Sequence, residues 1–148
     1  MGDFQKDLAV GSKAQDFIIS QLKEEHEGLV QVEGNFKDFD LKADDGYTAE
    51  VKFDILSQKT KNVGFEYKCY GKKSGVSNTK ALEWVHIYYL DGKWVYSKVS
   101  TNNLKAFLKS NWESLKKVSG GDNNASKMAL VSVYDIADSF GYTSITST

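Results

Sequence analysis

Asp40, Glu50 and Lys52 are the residues of this chain whose types and spacing could do chemistry, since two carboxylates beside an amine suit a divalent cation and a phosphate. They lie where polarity alternates. Phe39, Leu41 and Ala43 alternate with Asp38, Asp40 and Lys42, and Tyr47, Ala49, Val51, Phe53 and Ile55 alternate with Thr48, Glu50, Lys52 and Asp54. That period describes two half-buried strands flanking Asp44-Asp45-Gly46. Directly opposed residues of an antiparallel pair share a face, so register decides the loop length. A two-residue loop would set Leu41 against Glu50. A three-residue loop with Gly46 left-handed sets Leu41 against Ala49, Phe39 against Val51 and Asp40 against Glu50.

The second register is expected, and it brings the Asp40 and Glu50 Cβ atoms to roughly 4.5 to 5.5 Å. Carboxylates that close repel, so the pair raises one pKa or binds a cation; with water and phosphate completing an all-oxygen shell, Mg2+ or Mn2+ fits. Lys52 shares this face, placed to assist an attacking water or offset charge on a phosphate. Asp38 falls opposite Lys52 and could pair with it. The ordinary alternative is a solvated polar sheet face.

The 148 residues and 16.6 kDa fit one domain, and the 41% hydrophobic share is enough for a core. No apolar run approaches membrane-spanning length and no basic-then-apolar start suggests a leader, so a soluble cytoplasmic protein is expected. One cysteine, Cys69, excludes an internal disulfide, and with His26 and His86 as the only histidines a Cys/His zinc site cannot be assembled. The net charge of -1 gives no global attraction to nucleic acid, but the distribution is uneven. Six acids stand between Phe36 and Asp54, and Lys59, Lys61, Lys68, Lys72, Lys73 and Lys80 follow with Glu66 as the sole acid among them. Every basic residue is lysine, which suits phosphates without reading sequence.

Ser12 with Gln15 makes a capping box ahead of a helix over Lys13–Glu27, stopped by Gly28. Leu29–Glu33 reads as a short strand and Val63–Tyr70 as a third long one. Gly71–Lys80 reads as a polar loop, and Leu82–Leu90 with Lys93–Val99 as a hairpin about Asp91-Gly92. Thr101 is expected to cap a helix to about Trp112. Glu113–Lys127 reads as an exposed loop, Met128–Val133 as a last strand and Tyr134–Phe140 as a last helical turn.

A helix, then Asp40 ending one strand, a tight turn and Glu50-Val51-Lys52 on the next resembles the core of the PD-(D/E)XK nuclease superfamily. Gly11-Ser12-Lys13-Ala14-Gln15 with Ile18 and Leu22 resembles that family's first helix, and Phe65-Glu66-Tyr67-Lys68, Gly71-Lys72-Lys73-Ser74-Gly75-Val76, Thr79-Lys80-Ala81 and Trp84 are similar to small phage-type members. The likeness covers roughly Gly11 to Tyr89. The family's helix Glu falls at Gln15, and Phe39 stands where its proline precedes the metal Asp.

The resemblance implies an α/β (α+β) fold of the restriction-endonuclease type, a central mixed sheet flanked by helices, and Mg2+-dependent endonuclease cleavage of DNA. Asp40 and Glu50 would bind the metal with the Val51 carbonyl completing the shell. Lys52 would assist the water, Gln15 would orient it or a ligand, and Lys68, Lys72, Lys73, Ser74 and Lys80 would hold the DNA backbone. Glu66, if it faces the same cleft, is an additional ligand; Glu66 and Lys68 repeat the ExK spacing, either as a second motif or as an exposed ion pair. A nuclease that cuts both strands works as a symmetric pair, which would make this one a homodimer, and a phage-encoded protein acting in a host cytoplasm fits. A catalytically inactive nuclease-fold module that binds nucleic acid or protein is the alternative favoured by Gln15. A third reading is an accessory protein docking through the Trp and Tyr residues of the second hairpin.

Overall fold

A computed structural model describes residues 2–33, 39–120 and 122–145 of the chain. Helix α1 spans Gly2–Glu25 and presents Ala14, Ile18 and Leu22, spaced four apart, as a buried stripe. Ser12 therefore sits inside the helix and caps nothing; the expected start at Lys13 is corrected. Gly11, inside the helix, leaves room for the Phe53 ring, which would lie 2.7 Å from a Cβ placed there.

Strands β1 (Val30–Gln31), β2 (Leu41–Lys42), β3 (Thr48–Phe53), β6 (Glu83–Leu90), β7 (Lys93–Ser100) and β10 (Thr143–Ser144) form one mixed sheet in the order β1-β2-β3-β6-β7-β10. All neighbours are antiparallel except β3 and β6, which run parallel. Between these two come a short helix α2 (Ser57–Thr60), β4 (Asn62–Cys69), β5 (Lys72–Lys73) and a 3-10 turn over Gly75–Ser77. A second, wholly antiparallel sheet has the order β5-β4-β9-β8, with β8 at Lys116–Gly120 and β9 at Ser126–Ser132. Helices α3 (Thr101–Ser110) and α4 (Val133–Phe140) and 3-10 turns over Trp112–Ser114 and Asp122–Asn124 are the other elements of the described residues.

Two hydrophobic clusters lie on opposite faces of the first sheet. On one, Ala14, Ile18 and Leu22 of α1 pack on Ala49, Val51, Val85 and Ile87. On the other, Trp84, Tyr88 and Val95 meet Val63, Phe65 and Val131 of the second sheet, with Leu104 and Leu108 of α3 and Ile136 of α4. Strand β6 is thus covered on both sides, which is why its sequence is almost uniformly apolar. The expected mixed sheet flanked by helices is present. No helix of the described residues is long and apolar enough to cross a membrane.

The first hairpin has the derived register, with Leu41 paired to Ala49 and Lys42 to Thr48. Ala43 N–H closes on Tyr47 O at 2.9 Å around the three loop residues, and Gly46 is left-handed at φ +91°. Asp45 braces this loop by accepting from Tyr47 N–H at 3.0 Å and from His26 Nδ1 at 2.8 Å, while the His26 ring stacks on Tyr47 at 3.7 Å. The His26 hydrogen bond, then the Tyr47 N–H, hold the Asp45 carboxyl below its ordinary 3.8. A depressed carboxyl stabilises the turn above its unfolded pKa and loses that contribution as pH falls through the folded value. The Asp45 carboxyl carbon followed by NMR should therefore titrate below 3.8. A midpoint above that value contradicts the bracing.

Elsewhere the structure differs from expectation. Ser100, not Thr101, caps α3, its hydroxyl accepting from Asn103 N–H at 3.1 Å, and the helix ends at Ser110. Glu113–Lys127 is not a loop: it contains β8 and the start of β9. Edge strand β8 buries little, with Val118 its one apolar side chain, so periodicity could not reveal it. The strand expected at Leu29–Glu33 shrinks to Val30–Gln31.

Candidate functional site

The parallel pairing of β3 with β6 sets Glu50 beside Trp84 and Lys52 beside His86 on one face of the sheet. Ala49 and Val51, alternating with them, point into the α1 cluster. Opposite Glu50 and Lys52 stand Glu66 of β4 and the segment that follows the 3-10 turn. Together Glu50, Lys52, Glu66, Thr79, Lys80 and Trp84 line a cleft of about 340 Å³. Lys52 Nζ is 3.7 Å from Glu50 Oε2 and 5.9 Å from the centroid of the Trp84 ring. The Glu50 side chain is 15% exposed, that of Lys52 49%, so the carboxylate sits deep and the amine reaches solvent.

Gly75 shapes this cleft. Its φ is +53°, and a Cβ there would lie 2.3 Å from the Glu66 carbonyl oxygen, so only glycine lets the turn approach β4 so closely. Ser77 fastens the same contact, its hydroxyl donating to Tyr67 O at 2.5 Å and accepting from Ser74 N–H at 3.1 Å. Gly75→Ala is expected to destabilise the protein by about 2 kcal/mol, through strain and the backbone clash. A denaturant midpoint equal to the wild type's would show that the turn can move away.

Asp40 behaves differently from expectation. Pairing in the hairpin ends at Leu41. Asp40 N–H turns to Ala49 O at 3.0 Å, and Asp40 Oδ2 accepts from Val51 N–H at 2.9 Å, replacing the carbonyl that a continuing strand would offer. A carboxylate is the stronger acceptor, so the side chain ends the strand. Asp40 is thereby held at the backbone of Val51 and is not among the residues lining the cleft. The Val51 side chain is buried on the α1 face. Gln15 is half-buried on α1, also outside the cleft lining. Asp38 lies outside the described residues.

Glu66 does face the cleft, but Lys68 does not share its direction. A bulge interrupts the pairing of β4 with β9 between Glu66 and Lys68, so the two ends of the second ExK part company. Of the lysines expected on a phosphate backbone, Lys80 lines the cleft, Lys68 and Lys73 line a neighbouring groove, and Lys72 is exposed on β5. Ser74 lies between them, at the head of the 3-10 turn. Among the described residues no group of three or more His, Cys, Asp or Glu side chains is placed to hold a metal.

Sequence reasoning misses the floor of the cleft. The Trp84 indole donates to His86 Nδ1 at 3.0 Å, which turns His86 Nε2 toward Asp54 Oδ2, 3.5 Å away. Asp54 Oδ2 also accepts from Gly64 N–H at 2.7 Å, tying the end of β3 to β4. This buried chain, continuous with the cleft through Lys52, Glu66 and Trp84, fixes the spacing of the two sheets beneath it. Its signal in the sequence is faint, because nothing local pairs Lys52 with His86. The aromatics of the second hairpin are largely interior, with Trp84, Tyr88 and Tyr96 buried, which removes most of the surface the docking reading needs.

Comparison with family models, curated proteins and solved structures finds no match. The functional reading therefore rests on the side chains themselves. Two carboxylates, a hydroxyl and two amines around one cleft form a hard-oxygen donor set with adjacent cations, which fits an oxyanion held together with a divalent metal.

Proposed function

We propose that this protein is a metal-dependent endonuclease that hydrolyses DNA phosphodiester bonds in the Glu50–Lys52–Glu66 cleft. The observation that carries the reading is the approach of Glu66 from a separate sheet to the face that bears Glu50 and Lys52. Magnesium is commonly bound through one or two carboxylates with water and substrate phosphate filling its shell, so two acids and a phosphate suffice as a donor set. When bound, Mg2+ or Mn2+ supplies Lewis acidity and lowers the pKa of a coordinated water. Glu50 and Glu66 would be the protein ligands. Asp40, held on the Val51 amide, would orient β3 beside Glu50.

Lys52 lies at the cleft mouth, where its ammonium offsets the charge that accumulates on the phosphoryl oxygens as the bond to the attacking oxygen forms. Its closeness to Glu50 keeps the amine aimed into the cleft. Lys80 on the opposite wall would hold a phosphate without reading the base. Trp84 and His86 would keep the floor dry and rigid, while Gln15 would stabilise the helix that backs the sheet. A homodimer would deliver two such clefts to two strands. Two acids and two lysines in the cleft, with further lysines beyond it, favour a phosphate backbone such as that of DNA as the substrate.

The test is nicking of supercoiled plasmid and of branched DNA, with and without magnesium. Cleavage in magnesium that is abolished by chelation supports the reading; no cleavage in magnesium over a long incubation removes it. The second reading, a nuclease-fold module that binds without cutting, is favoured by the neutral Gln15 and by the engagement of the Asp40 carboxylate with the Val51 amide. It predicts salt-dependent binding that is indifferent to magnesium.

A further inference from the structure

The 3-10 turn over Gly75–Ser77 has a second side. Gly75 faces the cleft, whereas Val76 and Ser77 help line an open groove of about 680 Å³, twice the volume of the cleft. Its character is unlike the cleft's. Tyr67 and Trp112 stand in edge-to-face contact at 4.9 Å and 83°, Leu108 and Val76 add apolar floor, and Lys68, Lys73, Lys105 and Lys109 surround them, with Glu113 the one acid in the lining. The four lysines are exposed, and they come from β4, β5 and α3. A fifth, Lys117, lies 4.8 Å over the Trp112 ring. That ring face is covered by an exposed lysine, whose Nζ also donates to Trp112 O, rather than by core packing, so a base stacking there would take the lysine's place.

Lysines around the half-buried Tyr67 and Trp112 rings match a single-stranded nucleic acid, whose phosphates need cations and whose unpaired bases need stacking surfaces. A paired duplex presents its bases only at groove edges and cannot use Trp112. We propose that this groove binds an unpaired DNA strand, leading it over the 3-10 turn to or from the duplex in the cleft. The direction of travel rests on the nuclease reading; the binding itself does not.

The experiment uses the full chain in EDTA and a fluorescein-labelled oligothymidylate, read by anisotropy across a salt series, with a blunt duplex as the comparison. Trp112→Leu should weaken oligothymidylate binding about tenfold, and Trp112→Phe should recover most of it, because stacking survives. Lys105→Ala with Lys109→Ala, both exposed on α3 and harmless to folding, should lower the slope of log affinity against log salt by about 1.4. Duplex binding should change little in any of them. Equal oligothymidylate binding by wild type and all variants, failure of the wild type to bind, or equally effective competition by a glutamate-rich peptide would each overturn the proposal. Oligothymidylate binding without magnesium-dependent cleavage would retain the groove and remove the nuclease. Cleavage together with unaltered binding by the variants would retain the nuclease and remove the groove.

Discussion

Lys52→Ala lowers magnesium-dependent nicking by about 10²- to 10³-fold while leaving the fold intact. The size follows from removing a charge aimed at the transferring phosphoryl group, an interaction that strengthens as the transition state forms. The loss should fall mainly on kcat, because substrate binding is shared with Lys80 across the cleft. No stability change above about 0.5 kcal/mol is expected, since the Lys52 side chain is half exposed and its ion pair with Glu50 is long, at 3.7 Å. Lys68→Ala provides the internal comparison. It lies past the β4 bulge and lines the other groove, so it should leave kcat on a nicked-plasmid assay near the wild-type value. If Lys52→Ala cuts as well as the wild type, Lys52 has no part in the chemistry. If Lys68→Ala alone is dead, the catalytic lysine is the second one.

Phe65→Ala should produce the largest loss of stability, about 3 to 5 kcal/mol. Phe65 is 1% exposed and joins the two sheets, with its ring centroid 5.1 Å from His86 and 6.3 Å from Trp84. Truncation leaves a cavity between layers that cannot close, because β4 is held on its other edge by β9 and on its end by Asp54. Against a total of about 5 to 15 kcal/mol, the loss is a substantial share, and the thermal midpoint should fall by on the order of 10 °C. Leu82→Ala, at an exposed position, should move it by little. A Phe65→Ala protein as stable as the Leu82→Ala protein would mean that the second sheet does not dock on the first through this residue.

What the sequence makes legible is local. Alternation plus one glycine suffices for the first hairpin, because a slip of one residue would expose Leu41 and bury Glu50. The second hairpin is equally readable: Asp91 and Gly92 take positive φ of 46° and 90°, as a two-residue loop requires. Helix α4 and strand β9 are visible through their own periodicity.

The unread parts depend on partners distant in sequence. Val63 pairs with Val131 across most of the intervening chain, so no local pattern assigns β4 to a second sheet. The parallel β3–β6 pair that sets Lys52 beside His86 is hidden for the same reason. Asp40 shows a different limit: periodicity gives its face, but the competition between a carboxylate and a carbonyl for Val51 N–H decides where the strand stops. Ser12 shows a third, since a sequence that can cap need not do so when the helix continues through it. In the candidate site, Glu50, Lys52, Glu66 and Lys80 converge as the sequence suggests, whereas Asp40, Gln15 and Lys68 do not line the cleft.

The most direct measurement is anomalous diffraction from crystals of the protein soaked in manganese, compared between wild type and Glu50→Gln. The expected result is a peak in the cleft at bonding distance from the Glu50 carboxylate and facing Glu66, absent in the variant. A cleft without a peak at millimolar manganese, or one whose peak persists after Glu50→Gln, would contradict the assignment of Glu50 as the residue that holds the cation.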